Sequence, residues 1–282
     1  MRNVSRSEFD AEIYQYPEHL RASLAGLPSV PGVYIFHGVS DQLPLYIGKS
    51  VNIRSRVMSH FRAKDEAKLL RQTTRISYLE TAGELGALLT EARMIKEQQP
   101  LFNKRLRRSK QLCSLHVHDG NVEVVYAKDI DFSNTPGLFG LFANRTVALE
   151  KLRILADEQK LCYSLLGIEK VSKHRACFRF SLKRCAGACC GAETREAHHE
   201  RLLLALESLR VNCWSWPGRI AIVEEGASFT QYHIVQDWFY LGTVSSLEDE
   251  NILQKVSTHF DSDGYKILCK PLFSGRFKTI EL

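Results

Sequence analysis

Two tyrosines near the start of the chain occupy positions from which they could act together on one substrate. Tyr34 and Tyr46 lie in two β-rich runs, GVYIF and PLYIG, which a polar segment joins. A hairpin symmetric about Ser40 places the two phenols directly opposite each other, about 5 Å apart at Cβ. Gly48 ends the second run without a side chain, which leaves room for a phosphate or another backbone. Two phenols alone can also be core packing.

Cationic residues follow the second tyrosine and make a core environment implausible. Lys49 comes directly after the second run, and a helix capped by Asn52 is predicted next. Arg56 and His60 are four residues apart and therefore share a face of that helix. Phenols and cations together suit the binding and hydrolysis of a phosphodiester. For His60 three roles stay open, namely general base, phosphate contact or support.

A carboxylate on a later helix supplies a metal ligand. The segment from Glu84 to Gln98 has a clear apolar stripe, and Glu91 lies at the edge of that stripe. A glutamate at such a position is usually a surface residue. Beside a cationic, phenol-rich patch it is a candidate ligand for one hard divalent ion, Mg²⁺ or Mn²⁺. A tyrosine with a pKa near 10 needs help to act as a base at neutral pH, and the ion and Lys49 would provide it.

Five ordered motifs between residues 31 and 103 carry a family resemblance. PGVYIF, LYIGKS, NIRSRV, TEARMIK and PLFN resemble the signature of the GIY-YIG nucleases in order and spacing. The first motif reads Gly-Val-Tyr where the signature has Gly-Ile-Tyr, and the second is intact. The resemblance implies a DNA endonuclease that cuts one strand with a single divalent ion.

The resemblance also implies a role for each matching residue. Glu91 would be the sole protein ligand of the ion, and Arg56 would bind the scissile phosphate. One of the two tyrosines, assisted by Lys49, would deprotonate the attacking water. Asn103 would tie the catalytic helix into the site, whereas His60 stands where close relatives hold tyrosine. The candidate catalytic residues are Tyr34, Tyr46, Lys49, Arg56, His60, Glu91 and Asn103.

The cysteines are unevenly distributed along the chain. Five of the eight lie in one stretch, at positions 162, 177, 185, 189 and 190. Without a secretion signal, a disulfide framework is not expected, and such clustering indicates metal binding. Four thiolates could hold Zn²⁺ or an iron–sulfur cluster. Cys190 could substitute for Cys189, and buried free cysteines are the alternative interpretation.

The same stretch extends the resemblance to a particular group of nucleases. CFRFSLKRCAGAC resembles the cysteine segment of the UvrC excinucleases. That resemblance implies a structural [4Fe–4S] cluster, with Zn²⁺ as the alternative. The ligands that it implies are Cys162, Cys177, Cys185 and Cys189.

Positive charge is concentrated where these motifs lie. The formal net charge is only +6, but 15 Lys or Arg face 6 Asp or Glu between residues 49 and 110. Residues 170 to 184 carry six cations and no acid. A polyanionic partner fits this asymmetry, and a solvated basic face is the alternative. The candidate DNA contacts are Lys49, Arg56, Lys104, Arg105, Arg107, Arg108, Lys173, Arg175, Arg179, Lys183 and Arg184.

The pattern of helices and strands predicts an α+β protein. It includes a helix from about Asp10 to Ala25, a hairpin around Asp119-Gly120-Asn121 and a late strand in the run YKILCK. We expect a small nuclease domain with a mixed sheet flanked by helices, then a cysteine-cluster segment and a strand-rich C-terminal region. The predicted boundaries are 1–27 for a helical extension, 28–107 for the nuclease, 108–160 for a linking α/β region, 161–212 for the cysteine-rich region and 213–282 for the C-terminal domain.

The absence of a second nuclease pattern after residue 210 narrows the resemblance to stand-alone UvrC homologues. It implies incision on the 3′ side of a lesion, in damaged double-stranded DNA that UvrA and UvrB present to the nuclease. A sequence-directed homing or restriction nuclease and a non-catalytic damage-binding module are the competing functions. No stretch predicts a membrane helix or a signal peptide, so we expect the protein in the cytoplasm, at the nucleoid. The sequence carries no signal for an oligomer, and a monomer is the default expectation.

Overall fold

The computed structural model describes residues 18–40, 43–103, 112–170, 175–253 and 260–282. The α+β class is confirmed, and the strands of these residues form three antiparallel sheets. Within the described ranges, no helix is long and apolar enough to cross a membrane. Residues 10–17 of the expected N-terminal helix lie outside them, and its described end is a 3₁₀ turn followed by α1 (Arg21–Ala25).

The first sheet carries the residues of interest. Its elements are β1 (Gly32–His37), β2 (Pro44–Ser50), α2 (Ile53–His60), α3 (Ala67–Gln72), β3 (Arg75–Glu80) and α4 (Glu84–Gln98). The strand order is β2-β1-β3, and both pairings are antiparallel. The expectation of a mixed sheet is therefore wrong for the described strands. The predicted bounds of α4 are confirmed.

Helices cover both faces of this sheet because β1 is apolar on both sides. Val33 and Ile35 pack against Met94 and Ile95 of α4 on one face. Alternate residues, including Tyr34, face α2 and α3 on the other. The tyrosines consequently belong to the α2 face, while Glu91 comes from the helix behind the sheet.

The hairpin register differs from the symmetric one. Tyr34 pairs with Gly48, and Tyr46 pairs with Phe36. The strand pairing is irregular at Phe36/His37, which places the loop off centre. The partner of Tyr34 is therefore two residues further along β2 than in the symmetric hairpin. An even offset preserves the face, and the two phenols remain diagonal neighbours.

The middle region contains β4 (Cys113–His118), β5 (Asn121–Tyr126), β6 (Leu138–Phe142), α5 (Arg145–Glu158), α6 (Phe178–Ser181) and α7 (Arg195–Leu206). The predicted β4–β5 hairpin is confirmed, and its turn residues Asp119 and Gly120 have φ of 45° and 76°. α5 and α7 bury Leu152 and Leu206 against the sheet.

The C-terminal region contains β7 (Ile220–Glu225), β8 (Thr230–Gln236), β9 (Phe239–Val244), α8 (Ser262–Phe273) and β10 (Lys278–Glu281). The sheet order is β10-β7-β8-β9. The run YKILCK was expected to be a strand and is instead part of α8. Asp261 starts this helix because its side chain accepts hydrogen bonds from the N–H groups of Asp263 and Gly264.

Helix α4 is shared between two cores. Met94 and Ile95 pack on the first sheet, whereas Leu85 and Leu89 lie in a separate cluster with Ile222 and Trp238 of the C-terminal region. Burial on both sides fixes the rotation of α4 and therefore the direction of Glu91.

Candidate active site

An open cleft of about 370 Å³ lies beside β2, the edge strand of the first sheet. Phenols, cations and carboxylates line it from four elements, β1, β2, α2 and α4. Its lining is Tyr34, Tyr46, Lys49, Ser50, Val51, Arg56, Glu84 and Glu91. Five of the seven candidate catalytic residues thus converge on one space. Of the other two, His60 is hydrogen-bonded to Tyr34, and Asn103 to Ile47 on the strand that carries Tyr46.

Glu91 reaches the end of β2 from α4. The backbone N–H of Lys49 donates to its Oε1 at 3.1 Å. Burial raises the pKa of this carboxyl, and the amide and charge of Lys49 together with Arg56 oppose that rise. Among the described residues, Oε2 has no hydrogen-bond partner. A half-buried carboxylate with one engaged oxygen, bordering an open cleft, fits a single hard cation that keeps most of its waters.

Tyr34 is almost fully buried and is held by a histidine. Its hydroxyl lies 2.8 Å from Nε2 of His60. Nδ1 of His60 lies 3.4 Å from Oε1 of Glu66, which favours the tautomer protonated at Nδ1. His60 Nε2 then accepts the hydrogen bond that the Tyr34 hydroxyl donates. Burial, with the charge of Arg56, lowers the pKa of His60 to about 4, so the imidazole is neutral at ordinary pH.

The second tyrosine lies beside the first. The two ring centroids are 6.2 Å apart. Burial raises the pKa of both phenols, and in Tyr34 the neighbouring Tyr46 adds to this effect while Arg56 opposes it. A phenolate in this cleft therefore requires added positive charge or a transfer of its proton to a partner.

Gly48 has a role different from the expected one. The strand continues past it to Ser50, and the Tyr34 phenol occupies the space that a side chain would fill. A Cβ at this position would lie 2.3 Å from the Tyr34 hydroxyl oxygen. Glycine is therefore required by the tyrosine, not by an approaching phosphate.

Asn103 behaves as an added strand residue on the edge of β2. Its side-chain oxygen accepts from the N–H of Ile47 at 2.9 Å, and its Nδ2 donates to the Ile47 carbonyl at 2.8 Å. Two such bonds tie the chain that follows α4 to the strand that carries Tyr46.

Two carboxylates were missed by the sequence analysis. Glu84 accepts a hydrogen bond of 2.8 Å from Lys49 Nζ and holds that ammonium at the rim of the cleft. Glu66 faces His60 from a short 3₁₀ turn. Neither has a distinctive spacing, since each depends on a contact across the sheet or between helices.

The four cysteines proposed as ligands come together. Their sulfur atoms all lie within 4.8 Å of one another, and Cys190 is exposed outside the group. Backbone N–H groups of Cys177 and Gly187 donate to Cys189 and Cys185. Burial raises the pKa of the Cys185 thiol. In Cys177 burial acts in the same direction, but hydrogen bonds with Cys189 and Cys185 outweigh it and lower the pKa of that thiol. Buried, converging thiols of this kind fit a metal centre.

The candidate DNA contacts outside the cleft divide into three groups. Arg175, Lys183 and Arg184 are exposed beside the cysteines. Arg179 is buried, stacks 3.7 Å above the Tyr163 ring and pairs with Asp157. Contrary to the expectation, its guanidinium is therefore not available to a phosphate. The remaining candidates, Lys104, Arg105, Arg107, Arg108 and Lys173, lie outside the described residues.

Family models account for most of the chain. Residues 30–104 match the UvrC-like GIY-YIG domain, residues 112–208 the middle domain of UvrC/Cho excinucleases, and residues 219–282 the C-terminal domain of excinuclease Cho. Together with the cleft, they define a metal-dependent endonuclease of the GIY-YIG class.

Curated relatives specify the family. The chain is 63% identical to excinuclease Cho of Escherichia coli K12 over 98% of its own length and 94% of that protein. It is 62% identical to excinuclease Cho of Salmonella typhi over 100% of its length and 96% of that protein. The chain therefore belongs to the excinuclease Cho family, whose members are repair nucleases acting on DNA.

More distant relatives match only part of this chain. UvrABC system protein C of Porphyromonas gingivalis is 28% identical over 78% of this chain and 39% of that protein. The magnesium-bound N-terminal endonuclease domain of UvrC from Thermotoga maritima is 27% identical, with a TM-score of 0.28, over 29% of this chain and 93% of that domain.

Proposed function

We propose that this excinuclease incises the damaged strand on the 3′ side of a lesion, in DNA loaded by UvrA and UvrB, during nucleotide excision repair. The convergence of Glu91, the two phenols and Arg56 on one cleft supports phosphodiester hydrolysis there. Three parts of this proposal rest on the similarity to UvrC: the lesion as substrate, the side of incision and the need for loading proteins. Incision would take place in the cytoplasm, at the nucleoid.

Glu91 would hold one Mg²⁺ or Mn²⁺ ion in this cleft. The bound ion would polarise the scissile phosphate and stabilise the leaving oxyanion. Arg56, exposed at the cleft wall, would hold the other phosphoryl oxygens through its guanidinium fork. Lys49 would face the same phosphate or the attacking water, with its ammonium positioned by Glu84.

Tyr34 would act as the general base through His60. As the phenol oxygen takes a proton from the attacking water, its own proton passes to His60 Nε2 across the 2.8 Å hydrogen bond. Nε2 of the neutral His60 is unprotonated and can therefore receive it. Burial disfavours the imidazolium that forms, and the carboxylate of Glu66, 3.4 Å from Nδ1, would offset part of that cost. This transfer avoids an isolated phenolate in a site that burial makes unfavourable for one.

The four-cysteine site would hold a structural metal centre. We propose a [4Fe–4S] cluster, which the UvrC-like middle domain supports. Zn²⁺ is the alternative, because four thiolates around zinc at about 2.3 Å are about 3.8 Å apart. That separation lies inside the 4.8 Å within which these four sulfurs are found. The exposed Arg175, Lys183 and Arg184 beside the site would contact DNA phosphates.

The test is incision of a duplex with one defined lesion and a label at either end of the damaged strand. We expect one cut on the 3′ side that requires UvrA and UvrB. Cutting of undamaged DNA at a fixed sequence would instead indicate a sequence-directed nuclease. Lesion binding without any cut, at any divalent ion, would indicate a damage-binding module.

A further inference from the structure

The N-terminus of α4 is capped by a residue more than a hundred positions away. Its own N-cap residue, Gly83, provides no side chain. The N–H groups of Leu85 and Gly86 instead donate to Oε1 and Oε2 of Glu224, at 2.9 and 2.8 Å. Glu224 lies on β7 and is 5% exposed. A buried carboxylate facing the positive end of a helix satisfies free amides that the helix cannot pair itself.

A buried histidine completes this arrangement. Nε2 of His233, on β8, lies 3.0 Å from Oε2 of Glu224, and its Nδ1 lies 2.7 Å from the Thr243 hydroxyl. Because an ionised carboxylate only accepts hydrogen bonds, Nε2 of His233 carries a proton and donates to Glu224. Although burial opposes it, these donors together lower the pKa of Glu224. The charged carboxylate is thus fully compensated inside the protein.

The backbone around α4 is shaped for this contact. A Cβ on Gly83 would lie 2.4 Å from Oε1 of Glu224, and one on Gly86 would lie 3.0 Å from Oε2. The N–H of Ala82 donates to Oε1 of Gln231 on β8 at 2.8 Å. Two glycines at the point of closest approach indicate that the contact is built into both regions.

The far end of α4 is held by the same region. Nζ of Lys96 pairs with the Asp261 carboxylate and lies 3.4 Å from that of Asp263, at the start of α8. Arg93 stacks over the Tyr240 ring with 5.6 Å between its guanidinium carbon and the ring centroid. The C-terminal region therefore contacts α4 at both ends.

The capped turn leads directly to the active site. Glu84, adjacent to the two capped amides, holds Lys49 Nζ at 2.8 Å. Glu91 follows about two turns later on the same helix. We propose that Glu224, supported by His233, is a positioning residue for DNA cleavage: the C-terminal region sets the placement of α4 and thereby of Glu84 and Glu91.

Glu224→Ala and Glu224→Gln test this proposal in the full-length chain, with Glu225→Ala as the control. Glu225 is the next residue on β7 and is exposed. Mn²⁺ binding is followed by electron paramagnetic resonance, and the signal that remains in Glu91→Gln is subtracted. Incision of a lesion-bearing duplex is measured in the same samples, under conditions in which the wild type cuts. Circular dichroism establishes that each variant is folded.

We expect Glu224→Ala to weaken Mn²⁺ binding at the Glu91 site about tenfold and to lower kcat at least as much. KM for DNA should be unchanged. Glu224→Gln keeps a carbonyl acceptor and should restore part of the loss, while Glu225→Ala should match the wild type.

Wild-type Mn²⁺ affinity and kcat in folded Glu224→Ala would overturn the proposal, as would an equal loss in Glu225→Ala. If Glu224→Ala does not fold, Glu224→Gln decides by the same criteria. Hydrogen exchange at Leu85 and Gly86 adds a direct readout, since their amides should exchange faster in Glu224→Gln and not in Glu225→Ala. Mn²⁺ binding does not depend on where the DNA is cut, so failure here is separable from failure of the proposed 3′ incision.

Discussion

The backbone N–H of Lys49 donates a 3.1 Å hydrogen bond to the Glu91 carboxylate, joining the edge strand of the first sheet to the helix behind it. This bond engages one carboxylate oxygen and brings the group to the cleft that Tyr34 and Tyr46 line. Residues of the sheet and of the helix thereby line one open cleft, although Tyr34 and α4 lie on opposite faces of the sheet.

The Tyr34–His60 pair should behave as one unit in catalysis. Tyr34→Phe removes the phenol that takes the proton, and we expect kcat to fall by about 10² to 10⁴. His60→Phe should cause a comparable loss because the phenol proton then has no acceptor. The double variant should be little worse than either single one. Losses that multiply in a single-turnover assay would show that the two residues act independently.

Gly48→Ala should displace Tyr34. The added methyl would lie 2.3 Å from the hydroxyl oxygen and 2.4 Å from the adjoining ring carbon. We expect a stability loss of about 1–3 kcal/mol and at least a tenfold lower kcat, as the phenol leaves His60. Gly26→Ala is the control, since a Cβ there meets nothing within 4 Å. Wild-type cleavage by Gly48→Ala would contradict the role given to Tyr34.

His60 should make stability depend on pH below neutrality. Its pKa falls from 6.5 to about 4 on folding, so between these values the unfolded chain binds the extra proton. Its contribution is therefore fully present above pH 6.5 and decreases as the pH falls toward 4, by about 3 kcal/mol at most. Urea unfolding of the wild type and His60→Gln at pH 7, 5.5 and 4 measures this difference. Parallel pH profiles would show that His60 is not buried in its neutral form.

The cysteine site should lose its metal when one converging thiol is removed. Cys177→Ser should reduce bound metal several-fold and destabilise the middle region, while Cys190→Ser, an exposed neighbour, should do neither. Iron, acid-labile sulfide and zinc are measured in protein purified without oxygen. Equal metal content in both variants would contradict the four-cysteine assignment.

Local patterns predicted the elements that position the site. The apolar stripe of α4, which stops before Pro100, gave its bounds, and Asn52 caps α2 through its side chain as expected. YKILCK was misassigned because a short apolar run is compatible with a strand or a helix. The cap at Asp261 and the burial of Tyr265 and Leu268 on one side make it helical.

Contacts between distant segments were not predictable in the same way. The register of Tyr34 and Tyr46 depends on an irregularity at Phe36/His37 that has no sequence signal. Glu224 received no role from the sequence because its partners, the amides of α4, are far away in the chain. Polar residues whose partners lie in another region look solvent-exposed until those regions are placed together.

Cleavage by Glu91→Gln tests the central claim most directly, with Glu97→Gln, an exposed glutamate on the same helix, as the matched control. Glutamine keeps the volume and a carbonyl acceptor for the Lys49 amide but removes the negative charge that holds the ion. We predict that Mg²⁺-dependent incision falls by about 10³ or more while DNA binding is unchanged, and that Glu97→Gln cuts like the wild type. Wild-type incision by Glu91→Gln would contradict a single-ion mechanism at this cleft.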